Sequence, residues 1–158
     1  MTGTYTCETP DDTFALGERI GAQAQPGDVM LLKGGLGAGK TLLTKGILNA
    51  LDFDIDEVTS PSFTLVNLYP TPTVNVYHID LWRLDENSDV ASAVGLDEIL
   101  AEENNVAIIE WSEKLRSFSH HGRIIEISIH GDGDDPRTIE IRERLNRRDA
   151  EEQREQFS

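Results

Sequence analysis

Glycine, four residues, then glycine, lysine and a hydroxyl residue is a spacing suited to phosphate, and Gly34-Gly35-Leu36-Gly37-Ala38-Gly39-Lys40-Thr41 follows it. Backbone N–H groups must come close to phosphate oxygens, and a Cβ on the inner face would block them. Gly34, Gly37 and Gly39 remove that obstacle and permit positive φ. Lys40 can then reach the β- and γ-phosphates, and the Thr41 hydroxyl can ligate Mg²⁺. A helix opening here aims unpaired amides and its positive dipole end at the same anion. The implied ligand is a nucleoside triphosphate.

A phosphate loop needs an acid to hold Mg²⁺ or its waters and to orient the attacking nucleophile. The usual source is a carboxylate at the C-terminal end of a buried strand. Glu110, directly after the apolar run Val106-Ala107-Ile108-Ile109, is the first candidate, and Asp80, also ending a strand, is the second. Two such acids converging on one Mg²⁺ compensate each other's charge. Ser60-Pro61-Ser62-Phe63-Thr64 follows the first loop helix, where a hydroxyl could sense the γ-phosphate; taken alone it is a hydroxyl-rich loop. His78, His120, His121 and His130 lack metal-ligand spacing, and the adjacent pair His120-His121 suggests a surface loop. Trp82 and Trp111 read as packing residues. Cys7 has no activating partner in view.

The elements that must hold these groups are legible in outline. Asp28–Lys33 reads as a short buried strand before the glycine loop, and Leu42, Leu43, Ile47, Leu48 and Leu51 recur at helical spacing after it. That strand–loop–helix context separates a phosphate loop from a chance glycine turn. Upstream, a polar segment at 1–9 suggests an edge strand. Asp11, Asp12 and Thr13 suggest a helix start, with Phe14, Leu16, Ile20 and Ala24 as its apolar stripe. Downstream, 65–69 and 74–81 form a candidate hairpin around Pro70-Thr71-Pro72. Residues 85–103 are helical in composition, with an interruption near Gly95. Arg123–Ile129 and Thr138–Ile141 form a second hairpin across a glycine- and aspartate-rich turn. The pattern predicts an α/β fold: a three-layer sandwich on a mixed sheet, with a parallel nucleotide-binding part and antiparallel hairpins. One domain over 1–141 is expected, with 142–158 a charged terminal helix or a disordered tail.

Composition narrows the setting. The chain has 158 residues, 38% of them hydrophobic, enough for one ordinary core. A single cysteine allows no internal disulfide and favours a reducing cytoplasm. No apolar run is long enough to span a bilayer, so no membrane role is expected. Twenty-nine acidic against 14 basic residues give a net charge of −15, which repels nucleic-acid backbones and argues against autonomous nucleic-acid binding.

Taken in order, several motifs resemble one family: Leu36-Gly37-Ala38-Gly39-Lys40-Thr41, Ser60-Pro61-Ser62-Phe63-Thr64-Leu65-Val66, Tyr77-His78-Ile79-Asp80-Leu81-Trp82-Arg83-Leu84, Gly95-Leu96-Asp97-Glu98 and Ile108-Ile109-Glu110-Trp111. The sequence resembles the TsaE (YjeE) family, the P-loop ATPases of bacterial tRNA threonylcarbamoyladenosine (t6A) biosynthesis, from about Thr13 to Leu115 and more faintly to Ile141. The resemblance implies a small P-loop NTPase fold and ATP hydrolysis that is weak alone and activated by docking to the TsaB–TsaD pair. It implies nucleotide contacts from Gly35, Leu36, Gly37, Ala38, Gly39, Lys40, Thr41 and Leu42, with Thr41 and Glu110 as Mg²⁺ ligands. Asp80 would be the second essential acid, acting on Mg²⁺ directly or through water. Ser62 and Thr64 would lie in the switch-like loop, and Arg137 near the nucleotide. Gly35 stands where the family commonly has aspartate, Ser62 where threonine is usual, and Trp82 where tyrosine is usual.

The leading reading is Mg²⁺-dependent ATP hydrolysis with Lys40, Asp80 and Glu110 as the catalytic groups. A small-molecule kinase shares the loop but usually needs lid arginines, whereas here Arg142, Arg144, Arg147, Arg148 and Arg154 gather near the C-terminus. A nucleotide-responsive binding module without catalysis is the third reading.

Overall fold

A strand with apolar side chains on both faces must lie between two layers, and β2 (Val29–Lys33) is that strand, with Val29 to Leu32 all buried. The computed structural model describes residues 1–35, 37–61, 64–85, 89–115, 120 and 122–145. β2 runs parallel to both its neighbours, β5 (Asn105–Glu110) and β6 (Arg123–His130). β4 (Asn75–Asp80) continues the parallel part beside β5. The outer strands are antiparallel: β3 (Val66–Pro70) on β4, β7 (Arg137–Leu145) on β6, and β1 (Gly3–Cys7) on β7. The sheet order is β1-β7-β6-β2-β5-β4-β3. The expected mixed α/β sheet, parallel in the middle and antiparallel outside, is what forms.

Alternation along the strands splits the core in two. Met30, Leu32, Ile108 and Ile127 pack against Leu16 and Ile20 of α1 (Pro10–Ala22) and Leu43 and Ile47 of α2 (Lys40–Ala50). Leu31, Ile79, Ala107 and Ile109 face the other way, onto Val90 of α3 (Val90–Val94) and Leu96 and Ile99 of α4 (Leu96–Ala101). Each fully buried Leu or Ile contributes roughly 1.5–3 kcal/mol relative to exposure. Gly95, at φ 68°, makes the predicted break between α3 and α4.

α1 begins a little earlier than the acidic pair suggests. Thr9 is its N-cap: the Thr9 hydroxyl accepts from the Asp12 amide at 3.2 Å, and the Asp12 carboxylate accepts from the Thr9 amide at 3.1 Å. Pro10 takes the first helical turn, where its missing N–H costs nothing. α1 and α2 then meet backbone to backbone. A Cβ on Gly17 would sit 2.4 Å from the Leu43 carbonyl oxygen, and one on Gly46 would sit 2.3 Å from that of Phe14. This contact sets the position of α2, and with it the loop at its start.

Two expectations need correction. The tail predicted from Arg142 onward as a helix or disordered segment is strand through Leu145, paired with β6 from Arg142↔Glu126 to Leu145↔Arg123. Ladder hydrogen bonds need no apolar side chains, and β1 covers β7 only as far as Ile141, so 142–145 form a charged edge. Arg144 there pairs with Glu126 at 2.9 Å. Residues 146–158 lie outside the described residues. His120, read as a surface-loop residue, is buried, its Nε2 2.6 Å from the Gly27 carbonyl oxygen; His121 lies outside the described residues. Among the described residues no helix is long and apolar enough to cross a membrane.

Candidate functional site

The loop that leaves β2 enters α2 directly, and its glycines serve different ends. Gly37 (φ 77°) and Gly39 (φ 106°) take conformations that a side chain would strain. Gly34 has no positive φ; it is needed for room, since a Cβ there would approach the Ile129 carbonyl oxygen to 3.0 Å. The expectation of positive φ at Gly34 is corrected accordingly. Gly39 is also the N-cap of α2. It offers no side chain to the first-turn amides, and no acid lies in that turn, so the helix start is chemically suited to an anion.

Lys40 and Glu110 meet here. Lys40 Nζ donates to the Gly34 carbonyl oxygen at 2.8 Å and lies 3.8 Å from Glu110 Oε1. Both side chains are buried. Asp80 is beside Glu110 because β4 and β5 run parallel with these two residues in register. One Asp80 oxygen accepts from the Trp82 amide at 3.0 Å, which turns the chain out of β4. Alternation puts Asp80 and Glu110 on the same face as Val76 and Ile108, the face that α2 covers. A cavity of about 580 Å³ results, lined by Lys40, Thr41, Ser60, Asp80, Arg83 and Glu110, with Gly37 to Gly39, Leu42 and both tryptophans.

The tryptophans belong to this cavity, although their spacing read as packing. Trp111 sits in the left-handed region at φ 61°, uncommon for a bulky side chain. That turn lays its ring 4.7 Å from Lys40 Nζ, close enough for a cation–π contact. Trp82, 42% exposed, packs on Trp111 with ring centroids 4.5 Å apart. Lys114 braces the pair, donating to the carbonyl oxygens of Trp82 and Leu84.

His78 lacks metal-ligand spacing in the sequence and stands there only within the family motif, with no role of its own. It lies fully buried on β4, with Nε2 2.6 Å from Glu110 Oε2. The available signal is a histidine set between the apolar Val76 and Ile79 of β4, two residues before Asp80.

Arg137, expected in the hairpin turn, is the first residue of β7. Its guanidinium is committed to backbone carbonyls: Ala38 at 2.9 Å, Gly133 at 2.9 Å, Gly37 at 3.3 Å, and Asp135. It thereby ties the phosphate loop to the β6–β7 turn. It also lines a smaller pocket of about 120 Å³ on that side of the loop, with Cys7, Thr9, Thr13 and Leu42. Thr64 donates to Asn67 Oδ1 at 2.8 Å and does not line the main cavity. Asn67 and the Tyr69 hydroxyl both hold the Thr59 carbonyl oxygen, at 3.3 and 3.0 Å. Leu36 and Ser62 lie outside the described residues.

The donor set suits Mg²⁺. The Thr41 hydroxyl and the carboxylates of Asp80 and Glu110 are hard oxygen donors, and two buried acids side by side favour a cation between them. Among the described residues no group of three or more His, Cys, Asp or Glu could hold a metal unaided. Mg²⁺ needs no such cage, since it ordinarily shares one or two protein carboxylates with substrate phosphates and water.

Comparison with known proteins agrees with the motifs. Residues 7–139 match the family model "Threonylcarbamoyl adenosine biosynthesis protein TsaE". The tRNA threonylcarbamoyladenosine biosynthesis protein TsaE of Bacillus subtilis (strain 168) is 36% identical over 82% of this chain and 78% of its own length. The protein of that name from Mycobacterium leprae is 42% identical over 72% of this chain and 73% of its own length. Among solved structures, the crystal structure of Bacillus subtilis YdiB aligns with a TM-score of 0.68 at 29% identity, covering 100% of this chain and 97% of that one. With the family model spanning most of the chain, and the P-loop and strand-end acids in the same fold, this chain belongs to the TsaE family.

Proposed function

We propose that this chain hydrolyses ATP with Mg²⁺ in support of threonylcarbamoyladenosine formation in tRNA, acting in the cytoplasm through docking to the TsaB–TsaD pair. The observation that carries the reading is the convergence of Lys40, Asp80 and Glu110 on one cavity at the start of α2. Phosphoryl transfer to water is mostly a matter of positioning and charge neutralisation. The amides of the first turn of α2 and the Lys40 ammonium supply fixed positive charge for phosphate oxygens. Thr41, Asp80 and Glu110 are the residues that would hold Mg²⁺, which would supply positive charge to offset that of the phosphates. Glu110 or Asp80 orients the attacking water and accepts its proton. Trp111 closes the Lys40 side against bulk solvent, which strengthens these electrostatic terms.

Partner dependence has a place to act. Thr59 and Leu65 are both held to the β3–β4 hairpin, by Tyr69 and Asn67 on Thr59 and by the Asp80 amide on the Leu65 carbonyl oxygen at 2.9 Å. Ser60, at the near end, lines the cavity. A partner that reshapes this segment changes what faces the γ-phosphate. The test is phosphate release by the purified chain, alone and with TsaB–TsaD. Stimulation by the pair is expected. Equal rates would sink the gating idea, and a phosphorylated small molecule in place of free phosphate would turn the reading to a kinase.

A further inference from the structure

We propose that His78 is a positioning residue for Glu110, fixing which carboxylate oxygen faces the phosphate loop; the proposal rests on the hydrolysis reading above. Glu110 ends β5 and His78 lies on the neighbouring strand, in register with Ile108. The imidazole Nε2 is 2.6 Å from Glu110 Oε2, while Oε1 lies 3.8 Å from Lys40 Nζ. The two oxygens are thus divided: one is held from within the sheet and the other is presented to the loop.

The surroundings argue for a task beyond packing. His78 has no exposed surface, and its Nδ1 is buried without a hydrogen-bond partner. A leucine would fill such a site without leaving a polar atom unsatisfied. A carboxylate only accepts, so Nε2 carries the proton donated to Glu110. The ring cannot drift far. Tyr69 packs near it, centroids 6.5 Å apart, and Phe53 packs on Tyr69 at 4.9 Å. The Tyr69 hydroxyl in turn binds Thr59, so one aromatic stack backs both the acid and the start of the 59–65 segment. A carboxylate left unanchored at a strand end samples several rotamers, and a Mg²⁺ ligand or water-orienting group loses effectiveness as it does so.

Two variants separate the roles. His78→Gln keeps an N–H able to reach Glu110, whereas His78→Leu keeps bulk and removes it. ATP affinity is measured in EDTA and across a Mg²⁺ titration, and turnover is measured with TsaB–TsaD present. The expected result for His78→Leu is unchanged ATP affinity in EDTA, about a 10–100-fold higher Mg²⁺ requirement and a matching loss of turnover, with His78→Gln recovering most of both. A wild-type Mg²⁺ curve for His78→Leu overturns the proposal. So does equal impairment of both variants with ATP affinity lost even in EDTA, which marks a purely structural role. A wild-type chain that is indifferent to Mg²⁺ and never releases phosphate overturns the hydrolysis reading instead, recognisable without any variant. Histidine ¹⁵N spectra of the wild-type chain test the contact even if the leucine variant does not fold. A protonated Nε2 whose signal shifts in Glu110→Gln is expected, and an Nδ1-protonated ring insensitive to that change overturns it.

Discussion

Glu110 Oε1 lies 3.8 Å from Lys40 Nζ, so the last residue of β5 and the first of α2 form a buried ion pair at the mouth of the main cavity. The pair assigns different losses to its two members. Lys40→Ala removes the cation that meets phosphate and should abolish ATP binding in calorimetry. Glu110→Ala should keep much of the binding while hydrolysis falls by about 10²–10⁴-fold, the usual worth of a general base. A Glu110→Ala protein that turns over ATP at the original rate would show that the acid has another task.

Arg137 should act on affinity rather than on the chemical step. Its bonds run to the carbonyls of Gly37 and Ala38 and to the β6–β7 turn, so it shapes the loop before any phosphate arrives. Lysine cannot reproduce a planar fork with several donors. Arg137→Lys and Arg137→Ala should both raise KM for ATP, by about tenfold if one charge-assisted hydrogen bond is lost, and leave kcat nearly unchanged. Steady-state kinetics with the activating partners present would check this, and a fall in kcat alone would count against it.

The α1–α2 contact should be intolerant of a methyl group. A Cβ on Gly46 would stand 2.3 Å from the Phe14 carbonyl oxygen, a backbone atom that cannot swing aside. Gly46→Ala should cost about 1–3 kcal/mol through overpacking, lowering Tm by roughly 2–4 °C per kcal/mol at this chain length. Because α2 carries Lys40 and Thr41, ATP affinity should weaken as well. An unshifted melting curve would mean the helices separate more easily than they pack.

Cys7 should be a slow thiol. Burial pushes its pKa above the ordinary value, with the nearby Asp12 charge adding to the rise and a hydrogen bond with Thr13 opposing it. Only the thiolate attacks a disulfide reagent. The folded protein should therefore react slowly with Ellman's reagent at pH 8 and quickly once unfolded in urea. Since the folded pKa exceeds the unfolded one, the contribution of this group is fully present below the unfolded thiol's range and is lost as pH rises past it. Rapid labelling of the native chain would contradict the burial.

Much of this was legible because it is local. The spacing of Gly34 to Thr41 and the apolar run before Glu110 carry their meaning in consecutive residues, and the strands, helices and strand-end acids follow from them. What could not be read depends on residues brought together from far along the chain. The His78–Glu110 bond needs the parallel register of β4 on β5, which no short window encodes. The cation–π contact of Trp111 with Lys40 needs a left-handed residue at the end of a strand. The charged composition from Arg142 onward suggests a terminal helix or a disordered tail, yet a ladder on β6 depends on backbone groups. Gly17 and Gly46 gave no signal at all, since a glycine inside a helix is meaningful only once its neighbour helix is in place.

The chain has two tryptophans, and both line the same cavity. Its tryptophan emission therefore arises wholly from the place where a triphosphate would enter. Moving Lys40 away from the Trp111 ring, or setting anionic charge beside it, alters the field on that indole. Nucleotide arrival, exchange and departure can be timed by intrinsic fluorescence in a stopped-flow instrument, on the unlabelled protein.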